Sequence, residues 1–226
     1  MKKKGLVLLN MGGARSKEEL QVFLTNMFND KNILTIPVDL IRSMVAFFIV
    51  TFRLNKAWQN YEAIGGKSPL HDLTDDLVAK LQAALPDYFV TTAMRYTSPF
   101  AQTAIARLKE QGVEDVILLP LYPQFSTTTT KSSVEDFKEK AGNSFKSIKT
   151  VKPFYKNDTF NSAICKQIIE KQNQESDYHL IFSAHGLPQK VVDKGDPYQK
   201  QVEKHVEILK EKLERYPVPF KSINLA

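Results

Sequence analysis

Two stretches decide how this chain is read: residues 5–13, Gly-Leu-Val-Leu-Leu-Asn-Met-Gly-Gly, and residues 179–186, His-Leu-Ile-Phe-Ser-Ala-His-Gly. Each is a short apolar run that empties into a turn bearing glycine. An apolar run without polar alternation fits a strand covered on both faces, the condition of strands in a parallel sheet. Working outward, further strands are expected at Tyr88 to Met94, Val116 to Leu121, Ile148 to Phe154 and Ile223 to Ala226. Helical patterns lie between them. Leu70, Leu73, Leu77, Leu81 and Leu85 recur at spacings of three and four until Pro86 stops the run. Ser98-Pro99 predicts an N-cap followed by proline in the first turn, with Ala101, Ala104, Ile105 and Leu108 as the buried stripe and Gly112 as the stop. Ser133 and Asp136 have capping-box spacing, and Asp196-Pro197 opens a helix with Val202, Leu209 and Leu213 inward.

Strands alternating with helices imply an α/β fold with parallel sheets. Because residues 5–13 and 179–186 each begin a new series, two units are expected, meeting near residues 155–175. The first is residues 1–155, with an apolar lip around 36–56; the second is residues 156–226. The second holds only two strands and one helix, too few for a covered sheet, so it reads as incomplete and the chain as the front part of a longer protein.

Composition narrows the function. The 226 residues are 42% hydrophobic and 25% charged, which is ordinary for a globular chain. The net charge of +6 is concentrated in residues 1–60, but its one dense run is Lys2-Lys3-Lys4, a solvated tail rather than a basic face, so no nucleic acid partner is expected. The single cysteine, Cys165, excludes a disulfide framework and points to a reducing, cytoplasmic setting. No secretory signal is legible, and the longest apolar run, Met44 to Val50, is far shorter than the roughly 20 residues of a spanning helix. Arg42 and Arg53 bracket that run. It reads as a buried core helix, or as an apolar lip over a greasy pocket or against a membrane surface.

In open α/β sheets, ligands bind beyond the carboxyl ends of the strands. The residues there are Asn10-Met11-Gly12-Gly13, Arg95-Tyr96, Tyr122 to Ser126, and Ser183-Ala184-His185-Gly186. Neither Met11-Gly12-Gly13 nor Thr130-Lys131-Ser132 has the glycine spacing of a phosphate cradle. His71, His179 and His205 lie in or beside regular elements and read as structural. His185 follows an apolar strand and precedes Gly186-Leu187-Pro188, a turn that holds the ring at the rim, where an imidazole can accept protons or bind a divalent metal. No second histidine, cysteine pair or H-E-x-x-H set accompanies it, so no multi-ligand resident metal site is encoded.

Six blocks carry a resemblance: Asn10-Met11-Gly12-Gly13, Ile64-Gly65-Gly66-Lys67-Ser68-Pro69-Leu70, Arg95-Tyr96, Tyr122-Pro123-Gln124, Phe182-Ser183-Ala184-His185-Gly186-Leu187-Pro188, and Gly195-Asp196-Pro197-Tyr198. In this order the chain resembles the ferrochelatases. The resemblance implies two Rossmann-like, chelatase-type units enclosing a porphyrin cleft, and insertion of Fe2+ into protoporphyrin IX as the terminal step of heme synthesis. It further implies His185 as the residue of proton abstraction or metal handling. Met11 would lie across the ring, where coproporphyrin-specific relatives more often carry tyrosine. Arg95 and Tyr96 would line the cleft, with Lys31 near the propionates in place of a more common arginine, and Tyr122 and Ser126 as further substrate contacts. Fe2+ and protoporphyrin IX are expected as substrates, with no bound cofactor, and one cysteine cannot hold the iron–sulfur cluster of some relatives. Three features depart from the family. Lys131 precedes Ser132 where glycine is usual, Lys67 sits in the glycine-rich block, and the family's acidic segment facing the histidine has no counterpart in residues 1–226. The alternatives are therefore a tetrapyrrole-binding remnant without catalysis, and a chelatase for another metal or tetrapyrrole.

Overall fold

A computed structural model describes residues 4–172, 177–217 and 220–226. Lys2 and Lys3 of the terminal basic run, and part of the expected junction at 155–175, lie outside the described residues. The chain divides into two compact units, residues 1–121 with 127–151, and residues 122–126 with 152–226.

The first unit is a parallel sheet in the order β2-β1-β3-β4, formed by β1 (Lys4–Asn10), β2 (Tyr88–Met94), β3 (Asp115–Pro120) and β4 (Ser147–Thr150). Both faces of β1 are covered. Val7 and Leu9 pack with Ala104, Ile105, Leu108 and Phe137, from α4 (Ala101–Glu110) and α5 (Ser132–Ala141). Leu6 and Leu8 point the other way, toward Leu77, Val78 and Leu81 of α3 (Leu70–Ala84). A strand read as apolar on both sides is thus the centre of a three-layer stack, each buried Leu or Ile contributing about 1.5–3 kcal/mol. A third cluster joins Leu20 and Leu24 of α1 (Lys17–Phe28) to Val50 of α2 (Asp39–Glu62). From β1 the chain crosses to β2 on one side and then returns to β3 on the other. The topological switch point therefore lies between the ends of β1 and β3, where Leu121 N–H donates to the Leu9 carbonyl at 2.8 Å.

The second unit pairs β5 (His179–Phe182) with β6 (Ser222–Leu225) in parallel, packed with α6 (Asp158–Gln172) and α8 (Tyr198–Leu213) and joined by the short α7 (Gln189–Asp193). Its core is Cys165, Leu209 and Leu213 with Ile164, Ile168, Leu180, Phe182 and Ile223.

Several local expectations are corrected. α4 begins after Phe100, not at Ser98-Pro99, because the Pro99 carbonyl accepts Met94 N–H at 2.7 Å and so closes the loop after β2. Ser133 is not the N-cap of α5: a π-helical turn, Thr127–Lys131, runs directly into α5, so Ser133 is already inside helical backbone, and Asp136 pairs with Arg95 and Lys140. β4 stops at Thr150, since Phe154 N–H turns to the Pro123 carbonyl at 3.0 Å in the other unit's segment, and Pro153 has no N–H to donate. Leu73 is exposed, the buried face of α3 running instead through His71 and Thr74. The core-helix reading of Met44 to Val50 is overturned. Only Ala46 and Val50 of α2 are buried, while Phe47 is 65% and Phe52 81% exposed, along with Leu40, Ile41, Met44 and Phe48. Among the described residues no helix is long and apolar enough to cross a membrane.

Candidate functional site

In the first unit the rim is built on the end of β1. Met11 is half-buried; its N–H donates to Asn10 Oδ1 at 2.8 Å and its carbonyl accepts Tyr96 N–H at 2.9 Å. Gly12 follows at φ +93°, and a Cβ there would stand 2.2 Å from Thr97 Oγ1, so the close turn needs glycine. His71, 5% exposed, has its Nε2 2.8 Å from the Gly13 carbonyl and therefore carries its proton there, pinning the turn from α3. The structural reading of His71 holds, and the contact it makes bears on the Met11 turn.

Arg95 and Tyr96 leave the end of β2 together and share a buried polar cluster. Arg95 Nη2 lies 2.9 Å from Asp30 Oδ2, Nη1 lies 3.2 Å from Asp136 Oδ1, and Nε donates to Ser132 Oγ at 2.9 Å. The Tyr96 hydroxyl donates to Asp30 Oδ2 at 3.0 Å, and the Ser132 hydroxyl donates to the same oxygen. Tyr96 is 1% exposed, so it supports the wall of the site from within and offers no surface of its own. Burial and the neighbouring Asp30 charge push its phenol well above the usual tyrosine range. For Asp30 burial raises the carboxyl, but the Ser132 hydroxyl, the Asn32 N–H, Arg95 and Tyr96 outweigh it, and the net displacement is downward. Lys31, next in sequence, is exposed.

In the second unit, Phe182, Ser183, Ala184 and His185 line a cavity of about 260 Å³ with Gln124, Tyr198, Val202, His205, Leu209 and Leu225. His185 is exposed at this mouth. The strand pairing carries on to the rim, Ala226 N–H donating to the Phe182 carbonyl and Ala184 N–H to the Ala226 carbonyl, both at 2.9 Å, which fixes the segment entering His185. Tyr122 is half-buried, and Ser126, 1% exposed, donates to Asp196 Oδ2 at 3.0 Å. Asp196 Oδ1 accepts Tyr198 N–H at 2.9 Å, so the helix-opening role read for Asp196 is met and Ser126 is tied to the same helix start. Asp193 accepts from Gln189 within α7.

Met11, Lys31, Arg95 and Tyr96 thus belong to the first unit, and Tyr122, Ser126 and His185 to the second. Sequence reading missed Asp30, Ser132 and Asp136 as a cluster, and Gln124 and Asn161 as partners of His205. One signal was available for the last: His205 falls on the helical stripe of Val202, Val206, Leu209 and Leu213, where an imidazole must find partners. Among the described residues no group of three or more His, Cys, Asp or Glu could hold a metal ion.

Parallel sheets covered by helices, with polar side chains at the carboxyl ends of their strands, define an α/β protein of the open parallel-sheet class. The ferrochelatase family model matches residues 3–224. The chain is 51% identical to the ferrochelatase of Nitratiruptor sp. over 227 residues, covering 97% of this chain and 74% of that protein. It is 47% identical to the ferrochelatase of Sulfurimonas denitrificans over 233 residues, covering 100% and 73%, and 44% identical to that of Wolinella succinogenes over 228 residues, covering 99% and 72%. The chain belongs to the ferrochelatase family.

Proposed function

We propose that this chain inserts Fe2+ into protoporphyrin IX to form protoheme, the terminal step of heme synthesis. Membership of the family along residues 3–224 is the observation that carries the reading. In the reaction two pyrrole N–H protons leave and the metal takes four nitrogens, so a base and a metal donor are needed at one face of a flat apolar ring. His185 supplies the base or the metal donor: it is exposed at the carboxyl end of β5 beside a partly apolar cavity, and an imidazole can accept a proton or bind a divalent metal. Met11 presents a thioether, which favours protoporphyrin over coproporphyrin, and Lys31 offers positive charge to the propionates. Arg95 and Tyr96 form a polar wall. Tyr122 is a further substrate contact, and Ser126, buried, holds its loop to Asp196. The exposed apolar residues of α2 serve as the lip that receives the ring and as the chain's peripheral contact with a membrane surface. The protein works in the cytoplasm, with Fe2+ as substrate and no resident cofactor.

The test is anaerobic mixing of the chain with protoporphyrin and Fe2+, or Zn2+ as a stable substitute, followed by absorbance. Growth of metalloporphyrin bands above the uncatalysed rate is expected. The absence of both such growth and quenching of Trp58 fluorescence by the porphyrin would contradict the reading.

A further inference from the structure

The turn that carries Met11 is fastened by its neighbours. The Asn10, Met11 and Ala14 carbonyls each accept a backbone N–H, from Arg95, Tyr96 and Ser68 at 2.8, 2.9 and 2.8 Å. Between them, the buried Gly13 carbonyl accepts the Nε2–H of His71 at 2.8 Å, a side chain brought by the first turn of α3. The fully buried Thr97 has its hydroxyl 3.4 Å from the same nitrogen. Stiffer residues do not fit at the two glycines: a Cβ on Gly12 would meet Thr97 Oγ1 at 2.2 Å, and one on Gly13 would meet Ser68 Oγ at 2.5 Å. Two glycines in sequence have wide backbone freedom, so hydrogen bonds must hold this turn in one conformation. Without His71 the Gly13 carbonyl would be left buried and unpaired, a cost that rotation about the Gly13 backbone relieves. Only Gly12 separates Gly13 from Met11, so the change reaches Met11.

We infer that His71 is a positioning residue: it acts through the Gly13 carbonyl to fix the Met11 turn, and so sets how Met11 faces the tetrapyrrole. The inference rests on the tetrapyrrole reading of the preceding subsection. Its structural half concerns the first unit by itself.

The methionine methyl groups of the full chain are isotope-labelled and read by NMR, the Met11 signal being assigned by its loss in Met11→Leu. A glutamine places its amide nitrogen where histidine has Nε2, whereas an asparagine places it at Nδ1, one bond short of Gly13. His71→Gln is expected to keep the Met11 signal at its wild-type position. His71→Asn shifts or broadens it, while the signals of Met27 in α1 and Met44 in α2 stay unchanged. In titrations read by Trp58 quenching, His71→Asn binds protoporphyrin about fivefold more weakly, the scale of one hydrogen bond. In a Met11→Ala background the same substitution changes binding by less than about twofold, because the effect runs through Met11. A merely structural His71 would weaken binding equally in both backgrounds. An unmoved Met11 signal in His71→Asn, equal weakening in both backgrounds, or a His71→Gln variant that behaves like His71→Asn overturns the inference. If His71→Asn does not fold, His71→Gln against wild type decides: a retained Met11 signal supports the inference and a displaced one overturns it. A wild-type chain that binds no porphyrin overturns the tetrapyrrole reading, and the Met11 signals then still decide whether His71 holds the turn.

Discussion

His205 lies 7% exposed between two amides, and its tautomer follows from them. Asn161 Nδ2 donates to the Tyr155 carbonyl at 2.9 Å, so Asn161 Oδ1 is the acceptor facing His205 Nε2 at 2.8 Å, and that nitrogen carries the proton. Nδ1 is then the acceptor for Gln124 Nε2 at 2.7 Å. Burial lowers the imidazole below its ordinary 6.5, in keeping with a ring whose neutral form fits both partners. A lowered folded-state value means stability that is complete above 6.5 and lost as pH falls through the folded value. The midpoint of thermal unfolding of the second unit should therefore fall between pH 7.5 and pH 5, and His205→Gln should flatten that part of the dependence. An unchanged slope in the variant would show that other groups carry it. At this scale the sequence was partly legible. The helical stripe marked His205 as an inward position, but Gln124 and Asn161 lie 81 and 44 residues away, and no local pattern announces such partners. Asp30 was harder still, since its Tyr96 partner is 66 residues off and Ser132 is 102.

Elements were legible where burial is uniform and obscure where one residue's bonding decides a boundary. Gly5 to Leu9 and Tyr88 to Met94 fall within or on their strands because a parallel strand covered on both faces needs an unbroken apolar run. The starts of α4 and α5 were misread because Ser98-Pro99 and Ser133 have the chemistry of caps, whereas α4 starts only after Phe100 and α5 continues directly from a π-helical turn. α2 is the informative case. Its apolar residues surround most of its circumference, yet its buried contacts are confined to the side bearing Ala46 and Val50. Phe47, Phe48 and Phe52 are then side chains that folding leaves in water, and exposed apolar groups of that size mark a contact surface. Replacing Phe47 and Phe52 by serine should leave the unfolding midpoint within the scatter of surface substitutions, about ±0.5 kcal/mol each. The same double variant should bind protoporphyrin more weakly. Loss of stability without loss of binding would mean that α2 packs inward after all.

At the scale of the whole molecule, the two units have separate cores. Val7, Leu9, Leu108 and Phe137 stabilise the first, and Cys165, Leu209 and Leu213 the second. Leu209→Ala should cost roughly 2–5 kcal/mol, the range for a buried leucine. Hydrogen exchange should rise in α6, α8, β5 and β6 and stay unchanged across β1 to β4; a rise spread evenly over both would show one cooperative core. The α/β class was legible from the alternation of runs. The entry of residues 122–126 into the second unit was not, because that segment is tied there by Gln124 and Phe125 to α8 and by Ser126 to Asp196 just before it, through contacts 70 to 81 residues apart. The proposed function gives the central role to His185. The most direct measurement is the anaerobic rate of ferrous insertion into protoporphyrin by His185→Ala and wild type, each at porphyrin saturation established by Trp58 quenching. Loss of insertion to the uncatalysed rate with quenching retained is the predicted result; turnover at the wild-type rate in the variant would contradict the assignment.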